Sequence, residues 1–157
     1  MDSGNSDNDG AVTDDARQRG ADALVMVGGA ALVASAFAHW VSSGYGSGLR
    51  GHALIDTLVS VGRHVPGLSA TRLTILWYLV PALGAASWVA IGLRGADSRA
   101  ARVVAAAAAV AAVVSFVAFG WLVGFAHLGA GAWLALMGAA AVVAGSWAIA
   151  KQPATGG

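Results

Sequence analysis

Four long stretches of this chain carry no Asp, Glu, Lys or Arg: Ala23 to Val41, Leu73 to Leu93, Val103 to Ala126, and about Ala130 to Ala150. Each is about 19 to 24 residues long, and at about 1.5 Å of rise per residue a helix of that length matches a hydrocarbon core about 30 Å thick. Water is absent at that depth, so backbone N–H and C=O groups must bond within the segment, as they do in a helix. A helix buried in a soluble protein needs polar neighbours to cover it, and four uncharged runs in so short a chain leave none. Composition agrees, with 57% hydrophobic and 11% charged residues. The expected fold is all-α: an antiparallel bundle of four transmembrane helices.

Loop cations orient the bundle. Arg17, Arg19, Arg94, Arg99, Arg102 and Lys151 share one side with both termini, and Arg50, Arg63 and Arg72 lie opposite. The more basic side stays cytoplasmic, so both ends are expected inside a plasma (inner) membrane. The links GADSRAA and HLGAG are short, which makes successive spans antiparallel in up-down-up-down order.

Residues 1–20, rich in Asp, Asn, Ser and Gly, lack the apolar surface that offsets the entropy of ordering and are expected to be a disordered cytoplasmic tail. Residues 152–157 are expected to form a second one, leaving 21–151 as the membrane domain. A competing parse joins Arg17, Arg19, the apolar run from Leu24 and Ala36-Phe37-Ala38 into a signal peptide cut before His39. Asp2, Asp7, Asp9, Asp14 and Asp15 precede it, where a signal peptide is basic, and argue against cleavage.

The one sizeable connection, between the first and second spans, reads as an amphipathic extracytoplasmic helix over about residues 48–65. At 100° per residue, Leu54, Ile55, Leu58, Val59, Val61 and Val65 fall on one half of the circle. Arg50, His52, Asp56, Thr57, Ser60, Arg63 and His64 take the other. Ser47 offers a cap, and Pro66-Gly67 a stop. Such a helix lies flat on the membrane or over the outer mouth of the bundle, and its apolar residues Leu54, Ile55, Leu58 and Val61 make a candidate interaction surface.

Trp40, Tyr45, Trp77 and Tyr78 fall at the same outer level, with Trp121 and Trp133 approaching it, and are expected to anchor the chain at the lipid interface. All four histidines lie on that side. His39 and His127 end parallel spans at similar height and are the candidate pair for holding a haem or a transition metal. His52 and Asp56 are four apart and account for one another as a local pair. No nucleophile, base and orienting group is grouped by spacing, so no catalytic residue is assigned. There is no cysteine. A net charge of +1, with its arginines dispersed, argues against nucleic acid as a partner.

Small residues supply packing faces: Gly120 and Gly124 as GxxxG, Ala30, Ala34 and Ala38 on the first span, Ala135 and Ala139 on the fourth. Ser35 and Ser115 are expected at one depth, Ser87 and Ser146 at another, with hydrogen bonds between helices at both. The Ala, Val and Gly enrichment, the short acidic tail and the single large loop after the first span resemble small four-span membrane proteins of actinobacterial type. Claudin-like proteins share the four-span outline, but their Trp-Gly-Leu-Trp and paired-cysteine signature is absent. The expectation is a non-enzymatic accessory or assembly subunit of a cell-envelope membrane complex, in contact with membrane lipid and a membrane-protein partner or a second copy. The alternatives are a redox protein using His39 and His127, and a binder of lipid or another hydrophobic ligand.

Overall fold

A computed structural model describes residues 6–44, 47, 49–62, 70–92 and 98–150. Within them the chain is all-α, with α1 over Ser6–Ser35, α2 over Gly51–Gly62, α3 over Ala70–Gly92, α4 over Ser98–Val123 and α5 over Ala130–Ala150. A single 3-10 turn, Phe125–His127, follows α4. By length and composition two helices can cross a membrane, at Arg102–Trp121 and Ala130–Ile149, and α3 supplies a shorter apolar stretch, Trp77–Gly92.

On α4 and α5 the buried face is mostly small residues and the bulky apolar ones lie outside, whereas α1 and α3 also bury Val25, Leu32, Trp77 and Val80. The buried positions include Ala21, Val25, Gly28, Leu32 and Ser35 on α1, and Trp77, Val80, Gly84 and Ser87 on α3. On α4 they include Ala105, Ala108, Ala112, Ser115 and Phe119, and on α5 Ala132, Ala135, Ala139, Val142 and Ser146. In every case the steps alternate between three and four residues. The rhythm of such a seam is the one that lets helices pack side by side at small crossing angles, typically about 20°.

Close approach at glycine joins the helices. A Cβ on Gly28 would stand 2.6 Å from the Gly138 carbonyl, and one on Gly138 would stand 2.7 Å from the Gly28 carbonyl, so α1 and α5 meet backbone to backbone. The adjacent Gly29 does the same for α3, where Gly84 lies opposite with its carbonyl 2.8 Å from a Cβ at Gly29. Gly145 meets the Ala21 carbonyl at the far end of the α1–α5 contact. Residue numbers on α3 and α5 fall as those on α1 rise, so both run antiparallel to it. The α3 side is also tied by Trp88, whose indole N–H donates to the Met26 carbonyl at 3.0 Å. The fourth helix, α4, packs on α3 and α5.

Four boundaries differ from expectation. Residues 6–20 continue α1 instead of forming a disordered tail: once the apolar turns exist, adding a residue to a helix is far cheaper than starting one. Helix α1 ends at Ser35, six residues before the expected end of the first apolar run, and Ala36, Phe37 and Ala38 close it with bonds to carbonyls three residues back. At the other end of the molecule's sequence, α4 ends at Val123 because Gly124 takes φ 89°, a backbone that side-chain-bearing residues avoid. The loop helix begins at Gly51 and not near 48, since Arg50 is drawn into an antiparallel bridge with His39. Residues 63–69, with the expected end of that helix, and the tail 152–157 lie outside the described residues.

Candidate functional site

Beyond Ser35 the backbone is extended and is stitched on both sides. His39 bridges to Arg50 and Val41 to Leu128, both antiparallel. Gly51 N–H donates to the Ala38 carbonyl at 3.2 Å, Ser42 N–H to His127 at 2.8 Å, Gly129 N–H to Trp40 at 2.8 Å and Gly131 N–H to His39 at 2.9 Å. Residues 38–44, 49–51 and 124–131 thus form a cap over one end of the helices. Gly129 and Gly131 make the stitching possible, because a side chain at either would run into the backbone of His39 or the ring of Trp40.

Trp40 is the plug of this cap. It is 1% exposed, and its indole N–H donates to the Ser35 carbonyl at 2.7 Å, adding to the 3.3 Å bond from Ala38 N–H at the carbonyl where α1 ends. Its ring meets Trp77 at 4.6 Å and Phe119 at 5.0 Å between centroids, and Trp77 meets Phe119 at 5.7 Å. Such tilted and edge-on pairs each contribute about 0.5–1.5 kcal/mol beyond area burial.

This placement corrects the expectation that Trp40 and Trp77 anchor the chain in lipid: both are buried, because the helix break turns Trp40 inward onto α3. Tyr78, at 55% exposure, is on the outside as expected, with Trp121 and Trp133. Tyr45 lies outside the described residues. Phe119 was not singled out from sequence, yet its place four residues after Ser115 continues the seam and is the signal that reveals it.

The candidate interaction surface is also largely internal. Leu54 and Ile55 are buried, so the apolar face of α2 is spent on its own chain, where α2 packs on α3. The side chains of Leu58 and Val61 lie outside the described residues. Gly120 is buried against the ring of Phe125, and Gly124 turns the chain, so GxxxG here accommodates a fold-back and not a second helix. Ala30 and Ala34 are exposed, whereas Ala135 and Ala139 are buried as expected.

All four serines are buried, but the described bonds stay within a helix: Ser35 Oγ donates to the Leu32 carbonyl and Ser87 Oγ to the Leu83 carbonyl. Ser115 Oγ, 1% exposed, has no hydrogen-bond partner. A hydroxyl on a helix has a carbonyl of its own previous turn within reach, and that local partner wins over one across the seam.

His39 and His127 both belong to the cap and both are exposed, yet each has a separate neighbour. His39 stands opposite Arg50, while His127 Nδ1 shares a hydrogen bond of 2.6 Å with Ser43 Oγ on the other flank of the extended segment. His52 and Asp56 are exposed on α2, and His64 lies outside the described residues. Among the described residues no group of three or more His, Cys, Asp or Glu side chains converges as a metal site. The Ser43–His127 pair is a hydroxyl and an imidazole in contact at exposed positions, and it ties the two loops. No protein-family model, no curated protein and no solved structure matches this chain, so what it does must be argued from its own residues.

Proposed function

We propose that this chain is a four-span integral membrane protein of the plasma membrane, with both termini cytoplasmic and the cap outside, acting as a non-enzymatic accessory or assembly subunit of a larger membrane complex. One observation carries the membrane part: bulky apolar side chains line the perimeter of all four long helices. Val27 is 66% exposed on α1, Ile75 63% on α3, Val103 68% on α4 and Met137 69% on α5. Water would penalise such a perimeter, and soluble monomers rarely carry apolar patches beyond a few hundred Å². Lipid does not. The extended segment 38–42 fits the same reading, since non-helical backbone at membrane depth is tolerated where protein buries and bonds it.

The accessory role rests on the interior. Four buried serines are the only polar side chains among the seam positions, and the spans offer no charged residue of the kind that marks ion or proton pathways. With α2 and GxxxG used internally, the free faces are the outer surfaces of the four long helices. A cofactor shared by His39 and His127 draws no support from residues that face different partners.

The absence of native cysteine makes topology directly testable. Single cysteines replacing His52 and Ala126 should react with an impermeant maleimide on intact cells, and those replacing Arg17 and Arg99 only after permeabilisation. Labelling of positions 52 and 99 from the same side would break the four-span assignment. Purification from native membranes should then yield a colourless protein with a stoichiometric membrane-protein partner. A lone protein with a Soret band would instead restore the redox alternative.

A further inference from the structure

We propose that the cap binds the phosphate of an anionic lipid headgroup at the junction of His39 and Arg50. The inference rests on the membrane reading above and specifies the ligand that its outer side would take. His39 and Arg50 are eleven residues apart in sequence and directly opposite in the fold. The flanking bond from Gly51 N–H to the Ala38 carbonyl marks them as a pair without mutual backbone bonds. In that geometry side chains leave the same face with Cβ atoms about 4.5–5.5 Å apart.

Both side chains are exposed, and His52 follows Arg50 by two residues at the start of α2. Between Asp22 and Asp97 the chain has a single acidic residue, Asp56, which sits one turn beyond His52 on α2. His127, on the opposite flank of the extended segment, already bonds Ser43. The pair therefore presents a guanidinium fork and an imidazole with no carboxylate from the cap between them. A guanidinium matches two phosphate oxygens at once, and an imidazole N–H can donate to a third.

The neighbouring residue decides between a lipid and a free anion. Phe37 is 64% exposed, two residues before His39. It extends the apolar perimeter up to the polar pair, so a molecule with a phosphate above and an acyl chain below meets both. An inorganic anion uses only the first.

The test measures binding of phosphatidylglycerol and of phosphatidylcholine to the purified full chain in detergent by native mass spectrometry. The wild type should prefer the anionic lipid about fivefold, the worth of one arginine at an anionic surface. Arg50→Gln and, separately, His39→Gln should bring the preference below about twofold, with Arg50→Lys in between. Arg17→Gln removes an exposed cation at the other end of α1 and should leave the preference unchanged. Equal affinity of the wild type for both lipids, or an equal loss in Arg17→Gln, would overturn the proposal. Binding of inorganic phosphate that displaces the lipid's headgroup preference without any acyl chain would replace the lipid by a free anion, and so would also overturn it. Carbonate-resistant association with vesicles, measured first on the same protein, tests the membrane reading alone: failure there sinks both, whereas insertion without lipid preference sinks only this inference.

Discussion

The seam between the helices and the cap at their end reach burial by opposite means. Along the seam, glycine and alanine remove side chains so that backbones touch, and each helix keeps its own hydrogen bonds. In the cap, the backbone leaves the helix, finds its bonds on neighbouring segments, and large rings fill the space. The seam therefore has no room for added atoms, and the cap cannot spare the ones it has.

The largest effect should come from emptying the cap. Trp40→Ala removes the plug and the shorter of two bonds to the Ser35 carbonyl, which keeps only that from Ala38 N–H, at about 3–5 kcal/mol. Trp40→Phe, keeping a ring but no N–H, should lose about 1–2 kcal/mol. Reversible unfolding in mixed micelles reads both, and equal losses would mean that the hydrogen bond, not the packing, holds the plug. Nearly as large is the converse change in the seam: Gly28→Ala places a methyl against the Gly138 carbonyl and should cost about 3 kcal/mol, because backbone cannot step aside. Gly20→Ala, on the same helix with open space around it, should instead gain up to about 1 kcal/mol. Thermal melts that moved the same way for both would contradict the contrast between packed and free parts of α1.

Smaller effects sharpen the boundary. Gly124→Ala forces a side chain into positive φ at the end of α4 and should cost about 1–2 kcal/mol without disturbing the seam, seen as a lower melting temperature with unchanged helix content by circular dichroism. Ser115→Ala removes a buried hydroxyl that lacks a partner, so stability should be unchanged or rise by up to about 1 kcal/mol. A loss there would reveal a bond across the seam. Ser43→Ala breaks the solvent-exposed bond to His127 and should cost less than about 0.5 kcal/mol, readable only as faster amide exchange near Ser42 and Leu128.

Much of the fold was legible because hydrocarbon-length runs without charge admit few solutions. The positions of α3, α4 and α5 follow from them to within a few residues, and the burial of Ser35, Ser87, Ser115 and Ser146 follows from their depth in the runs. The faces were harder. In an amphipathic helix, polarity marks the side that faces water, but here both sides are apolar, and only the alternation of three and four between small residues distinguishes them. Read by size, that rhythm was present in the sequence and leads to Phe119 and to Gly84 opposite Gly29.

What the sequence by itself determined is a helical chain with long apolar runs and a connecting amphipathic helix. Only the tertiary structure decided where the first helix stops. No proline or glycine marks Ser35, and Ala36 to Val41 would extend α1 on local preference alone. The break exists because Trp40 gains a cavity between Trp77 and Phe119, and because Gly51, His127, Gly129 and Gly131 supply the hydrogen bonds that leaving a helix forfeits. Those partners are distant in the chain, and the free energy that favours them is defined only once the helices have met.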